Sequence, residues 1–150
     1  MPPIQDVQGS YNTDFDIGVA GQIADTSLCD VASRIVENAV VGFGLAVGRG
    51  SADESCRLGG TGFEGITVQD KSVESDDNSV DQYAVGEMAG VLRKGTVWVT
   101  VGSAVTPAST GYFTPATGAI SATASGNTEI VGAKFETSAA SGDLARVYLP

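Results

Sequence analysis

The sequence contains no histidine. Ser-His-Asp and Cys-His nucleophile arrangements therefore cannot be assembled within one chain, and His-containing zinc sites go with them. Cysteine is almost as scarce. Cys29 and Cys56 are too few for a disulfide framework and lack the paired spacing of a zinc ribbon, so they read as reduced, buried, small hydrophobes. Positive charge is thin as well: eight Lys and Arg against 18 Asp and Glu give a net charge of −10, and Arg93-Lys94 is the one adjacent basic pair. Releasing counterions from nucleic-acid phosphates takes a basic stripe, and none is visible. An acidic chain is also repelled by an anionic membrane surface, and no uninterrupted apolar run of about 18 residues is present to span a bilayer. Met1–Ser10 has neither a basic n-region nor an apolar h-region, so export by a signal peptide is not expected. No N-x-S/T sequon occurs. These absences point to an intracellularly assembled protein whose partner is another protein.

The motifs of common enzymes are missing too. There is no G-x-S-x-G nucleophile elbow and no G-x-x-x-x-G-K-[ST] phosphate loop. Gly60-Thr61-Gly62-Phe63-Glu64-Gly65 matches G-x-G-x-x-G by letter. A pyrophosphate site needs a helix N-terminus directly afterwards; here a strand pattern follows, at Ile66 to Val68. Glu74, Asp76, Asp77 and Asp81 lack the spacing of a calcium loop and read as a solvated acidic tip. An acid pair for glycoside hydrolysis has no aromatic lining in sequence. The expectation is no catalytic residue, no cofactor and no metal.

What the chain has in excess is glycine, 20 of 150 residues, about twice the usual ~7%. With 42% hydrophobic residues, many of them Val and Ala, this is the composition of short strands joined by tight turns. At 150 residues the chain fits one domain. Residues 1–17 read as an extended N-terminal arm with Tyr11, Phe15 and Ile17 as its apolar anchors, and 18–150 as a single all-β domain. Thr26 to Val41 is ambiguous: Leu28, Val31, Ile35 and Ala39 recur at helical spacing, whereas Arg34-Ile35-Val36-Glu37 reads as a strand. Gly42 to Gly50 reads as one strand with Phe43, Leu45 and Val47 on one face and Gly44, Ala46 and Gly48 on a bare one. Glu64 to Asp70 is a second, with Ile66 and Val68 inward. Met88 to Val101 reads as a hairpin turning at Arg93-Lys94-Gly95, and Val97, Val99 and Val101 alternate with Trp98 and Thr100. Trp98, opposite the valine stripe, is either a core residue of a second layer or part of an oligomer interface. Further short strands fall at Gly111 to Thr114, Ala119 to Thr123, Ala133 to Thr137 and Leu144 to Leu149. Eight to ten strands in one domain make a β-sandwich, jelly-roll-like or not, or a β-barrel.

Taken in order, several segments resemble the tailed-phage structural cement (head-decoration) family. They are Gly21 to Asp25, Ser33-Arg34, Gly42-Phe43-Gly44, Gly65 to Asp70, Val91 to Val99 (VLRKGTVWV), Val105-Thr106-Pro107, Tyr112-Phe113, Phe135 to Gly142 (FETSAASG) and Leu144 to Leu149 (LARVYL). The collinear series covers about residues 18–149. The resemblance implies an all-β virion subunit that sits as a small homo-oligomer, dimer or trimer, outside a shell of HK97-type major capsid protein, assembled in the host cytoplasm. It brings no catalytic residues. It favours a strand for Ser33 to Glu37, and it would place a glycine where this chain has Ala108. The candidate shell contacts are Tyr11, Phe15 and Ile17. The competing reading is a virion-associated β-module that binds carbohydrate or a tail protein.

Overall fold

The computed structural model describes residues 18–72 and 81–150, and among these every element is a strand. In chain order they are β1 (Asp30–Val36), β2 (Val41–Gly42), β3 (Ala46–Arg49), β4 (Ser55–Arg57), β5 (Thr61–Thr67), β6 (Gln82–Tyr83), β7 (Met88–Thr100), β8 (Thr110–Phe113), β9 (Ile120–Ser121), β10 (Thr128–Phe135) and β11 (Leu144–Leu149). The all-β expectation holds, and of the architectures considered the barrel is the one observed. Residues 1–17, expected to be an extended arm, lie outside the described residues.

Five strands close on themselves in the order β1-β4-β3-β5-β7, with β7 returning to β1. Closure gives every strand of the ring a neighbour on both sides over at least part of its length, and so covers most of the exposed ladder that an open sheet presents. Inside lie Val36, Val41, Val47, Cys56, Tyr83, Ala89 and Val91. Tyr83, brought in by β6, stacks edge-on against Phe43 at 5.0 Å, and its hydroxyl donates to the Val68 carbonyl at 2.6 Å. A buried phenol needs such a partner, because an unpaired hydroxyl there would forfeit its hydration for nothing.

The 13-residue β7 is the spine of the molecule. Its first half belongs to the barrel. Its second half pairs with β11 through Gly95↔Leu149, Val97↔Val147 and Val99↔Ala145, and the sheet continues through β10, β8 and β9. β9 then returns to the end of β7 through a Val101↔Ile120 bridge, where the Gly102 N–H donates to the Ile120 carbonyl at 2.9 Å. This second region encloses the larger core, with Val97, Val99, Phe113, Ile120, Ile130, Phe135, Val147 and Leu149. Ile66 and Leu92 join it from the barrel strands. Adjacent residues on a strand face opposite ways, so Val91 fills the barrel while Leu92 fills the neighbouring core.

Two expectations about strand continuity need correcting, and one ambiguity is settled. Arg93-Lys94-Gly95 is not a hairpin turn. β7 runs straight through it, because Lys94 pairs with Asp30 of β1 and Gly95 with Leu149 of β11. Gly95 does adopt positive φ, +125°, but it uses that freedom where the strand changes neighbours, as glycines at bulges and bends do. Gly42 to Gly50 is broken into β2 and β3 at Phe43-Gly44. The bare face of β3 is filled from within the same chain: a Cβ on Gly48 would come within 2.5 Å of the Gly60 backbone carbon. The Thr26 to Val41 ambiguity resolves as a strand over Asp30–Val36, with no helix in the span. Residues Asp30 to Ile35 pair with β7, and this backbone pairing outweighs the helical recurrence of Val31 and Ile35, which face solvent.

Candidate docking surfaces

Among the described residues no group of three or more Cys, Asp or Glu converges as a metal cage would. Gly60 to Gly65 forms the entry to β5 with no helix after it. Its one charged member, Glu64, is committed to structure. The Arg34 guanidinium reaches across the barrel from β1 to hold the Glu64 carboxylate at 2.7 and 2.8 Å, and Arg49 stands at 3.8 Å. The side chains of Arg34 and Glu64 are only 14% and 11% exposed, so each supplies most of the counter-charge that burial demands of the other. Cys56 is buried close by, and desolvation first, then the Glu64 charge, push its thiol up to about 11. It is unreactive near neutral pH. Cys29 is free but exposed, which corrects the expectation that both cysteines are buried.

A second carboxylate ties down one end of the barrel. Glu37 accepts N–H bonds from Ser51 (2.9 Å) and Ala52 (3.0 Å) and hydroxyl bonds from Ser51 and Ser55 (2.9 and 3.0 Å). These donors, the backbone N–H groups foremost, hold its pKa down to about 2. Glu37 is a clamp on the β3–β4 loop. Of the acidic tip only Asp81 lies among the described residues, while Glu74, Asp76 and Asp77 fall outside them.

Three surfaces remain for binding. The first is the point where the chain enters the fold. Residues Gly21 to Ala24 run along β7: the Gly21 N–H donates to the Trp98 carbonyl (2.8 Å), the Trp98 N–H to the Gln22 carbonyl (2.9 Å) and the Ala24 N–H to the Thr96 carbonyl (2.9 Å). Gly18 lies against the indole so closely that a Cβ there would sit 2.8 Å from Trp98 Cδ1. Trp98 is half-buried on the face of β7 opposite Val97 and Val99. Tyr11, Phe15 and Ile17 precede this anchor and lie outside the described residues. The second surface is the outer side of the β1–β7 pair, where Val31, Ile35 and Met88 are exposed.

The third is an open groove of about 350 Å³. Its wall and floor are Phe63 from β5, Arg93 from β7, Thr128–Val131 from β10, and Leu149-Pro150 at the end of β11. Val131 at its mouth is 83% exposed, the most exposed large apolar side chain among the described residues. Sequence reasoning missed this groove. The available signal was Ile130-Val131, two bulky apolar neighbours in a strand, of which only one can face the core.

A family model described as structural cement protein (E217 gp24/Pam3 gp6) matches residues 7–149, the collinear span of the sequence motifs and more. The chain belongs to the phage structural cement protein family. Its fold is shared by a chain of the capsid of Myoviridae phage XM1, with a TM-score of 0.73 at 14% identity, covering 95% of this chain and 96% of that one. The N-terminal base of head fibre gp8.5 in bacteriophage phi29 is a more distant likeness, with a TM-score of 0.48 at 14% identity over 82% of this chain and 95% of that one. No curated protein sequence matches. One departure from the cement pattern now has a location. Ala108 occupies the third position of a turn closed by the Ser109 N–H on the Thr106 carbonyl (3.0 Å), at φ +70°. With Pro107 before it this is the place where a type II turn calls for glycine.

Proposed function

We propose that this chain is a non-enzymatic cement, or decoration, subunit that attaches to the outer surface of an HK97-type major capsid protein shell and stabilises it. The family match over residues 7–149 carries this reading; the full-length likeness to a capsid chain of phage XM1 supports its fold side. The physical chemistry agrees with an outer position. A chain of net charge −10 is repelled by packaged DNA, and the same charge limits aggregation before docking. A shell under internal pressure is held by many repeated weak contacts, and a homo-oligomer, dimer or trimer, multiplies each contact by its valency. Tyr11, Phe15 and Ile17 are the candidate contacts to the shell, on an arm ordered against a neighbouring subunit.

The test is binding to expanded empty heads. Purified protein should sediment with them in copies comparable to the major capsid protein, and should raise the temperature at which the heads lose integrity. Heads that take up none of the protein would overturn the proposal. A copy number of a few per virion would instead favour the tail-associated module.

A further inference from the structure

The groove between β5 and β10 is bordered by strand segments with no ladder partner along it among the described residues. β5 pairs with β7 only at Ile66 and Thr67, leaving Thr61 to Glu64 without a neighbour on that side. β10 pairs with β11 only at Lys134 and Phe135. Pro150 then lies against Gly132, where a Cβ would meet its ring at 2.8 Å, and Thr128 to Val131 run on past it. Unpaired backbone beside an apolar floor of Phe63, Ile130 and Leu149 is a place for an added strand: main-chain bonds supply affinity, and the floor selects every second side chain.

The chain carries a segment of that pattern. In Tyr11-Asn12-Thr13-Asp14-Phe15-Asp16-Ile17 the apolar-leaning residues Tyr11, Thr13, Phe15 and Ile17 alternate with Asn12, Asp14 and Asp16. This period of two gives a strand one face for the floor and one acidic face. The groove lining carries Arg93, which already holds Asp30 at 2.8 Å, and Glu129, so the apolar floor rather than charge is what the segment reads. The segment leaves its own subunit on the other side of β7 from the groove floor. Phe15 is three residues from Gly18 and so reaches at most about 11 Å from it. Gly18 is seated on Trp98, on the side of β7 facing away from Val97 and Val99, whereas Leu149 of the groove floor shares the core with those valines.

We infer that Tyr11–Ile17 of a second copy adds as a strand along Thr128–Val131 of β10, with Phe15 seated against Phe63, Ile130 and Leu149. This rests on the reading of the arm as an intersubunit contact. Sedimentation velocity on the full chain tests it. The wild type should form a species at least twice the 15.2 kDa subunit mass, and Val131→Asp and Phe15→Asp should each weaken that association by at least about tenfold, as loss of a seated aromatic or its pocket does. Each variant keeps one half of the contact, so a mixed pair has one intact contact where either variant alone has none, and an equimolar mixture should associate more strongly than either variant by itself. Near-UV circular dichroism reports whether the exposed Val131→Asp change leaves the fold intact; if it does not, Glu129→Arg, which puts a positive charge in place of a negative one beside the acidic face of the segment, replaces it and should tighten association instead. A wild type that stays at 15.2 kDa up to the highest soluble concentration, association unaffected by both substitutions, or a mixture that associates no more strongly than either variant would each overturn the inference. Failure to bind heads, with self-association intact, would overturn the cement reading and leave this one standing.

Discussion

In the barrel, β7 returns to β1 through paired positions from Asp30↔Lys94 to Ile35↔Met88, so that ring closes by a ladder. In the second region the return is the single Val101↔Ile120 bridge, and β10 outruns β11 beyond Pro150. Their cores differ in the same sense. The barrel holds mainly valines, with Tyr83 and the Arg34–Glu64 pair reaching across it. The second region gathers Phe113, Ile130, Phe135 and Leu149 under an incompletely covered edge. The ring closed by ladders leaves less backbone for a partner, its open stretch being Thr61 to Glu64 of β5 at the groove. A ring closed by one bridge keeps apolar floor and unpaired backbone where another chain can add.

Leu92 is where this contrast can be broken most directly. It is buried in the larger core while its neighbour Val91 fills the barrel. Leu92→Ala should cost about 3–4 kcal/mol through lost transfer energy and the cavity left behind, read from the urea midpoint. If the regions form one cooperative unit, hydrogen exchange will accelerate in both. Acceleration in β8–β11 alone would show that they unfold separately.

The next largest effect sharpens the barrel side. Arg34→Met strands most of the Glu64 charge and should cost about 2 kcal/mol, with Glu64→Leu added on top recovering much of the loss. A double variant no more stable than the single would show that the pair does more than neutralise itself.

The Glu37 clamp gives a pH signature. Its pKa is lowered from 4.5 to about 2 in the folded chain, so its contribution is complete above the ordinary value and is lost as pH falls from about 4.5 toward 2. Glu37→Gln should flatten that part of the stability curve and speed exchange at Ser51 and Ala52. An unchanged acid slope would remove Glu37 from the account.

The smallest effect lies in the second region and has the opposite sign. Ala108→Gly relieves a left-handed alanine that costs about 1 kcal/mol, partly offset by the entropy of a glycine in the unfolded chain. A gain of about 0.5 kcal/mol in thermal or urea stability is expected. A loss would mean that the turn relaxes differently from a type II geometry.

Much of the strand content was legible because alternation is a property of the chain. Leu144 to Leu149 is β11 residue for residue, and the buried stripe Val97, Val99, Val101 is read directly from the letters. The absence of histidine and the collinear motifs were likewise enough to point toward a structural subunit and its family. The candidate groove was not legible, since it is made by four strands distant in sequence and by the place where β11 stops short of β10.

Arg93-Lys94-Gly95 marks the boundary between the two kinds of information. By itself the sequence determined that a glycine with access to positive φ stands between two apolar strand segments. Only the tertiary structure decided whether the chain reverses there or continues. A reversal would pair Met88–Leu92 with Thr96–Thr100. In the fold those two halves are instead paired to β1 and β5 on one side of Gly95 and to β11 on the other. Backbone hydrogen bonds carry no memory of sequence distance, so the partners with the better-buried faces won, and a local turn signal became the bend that joins a closed barrel to an open one.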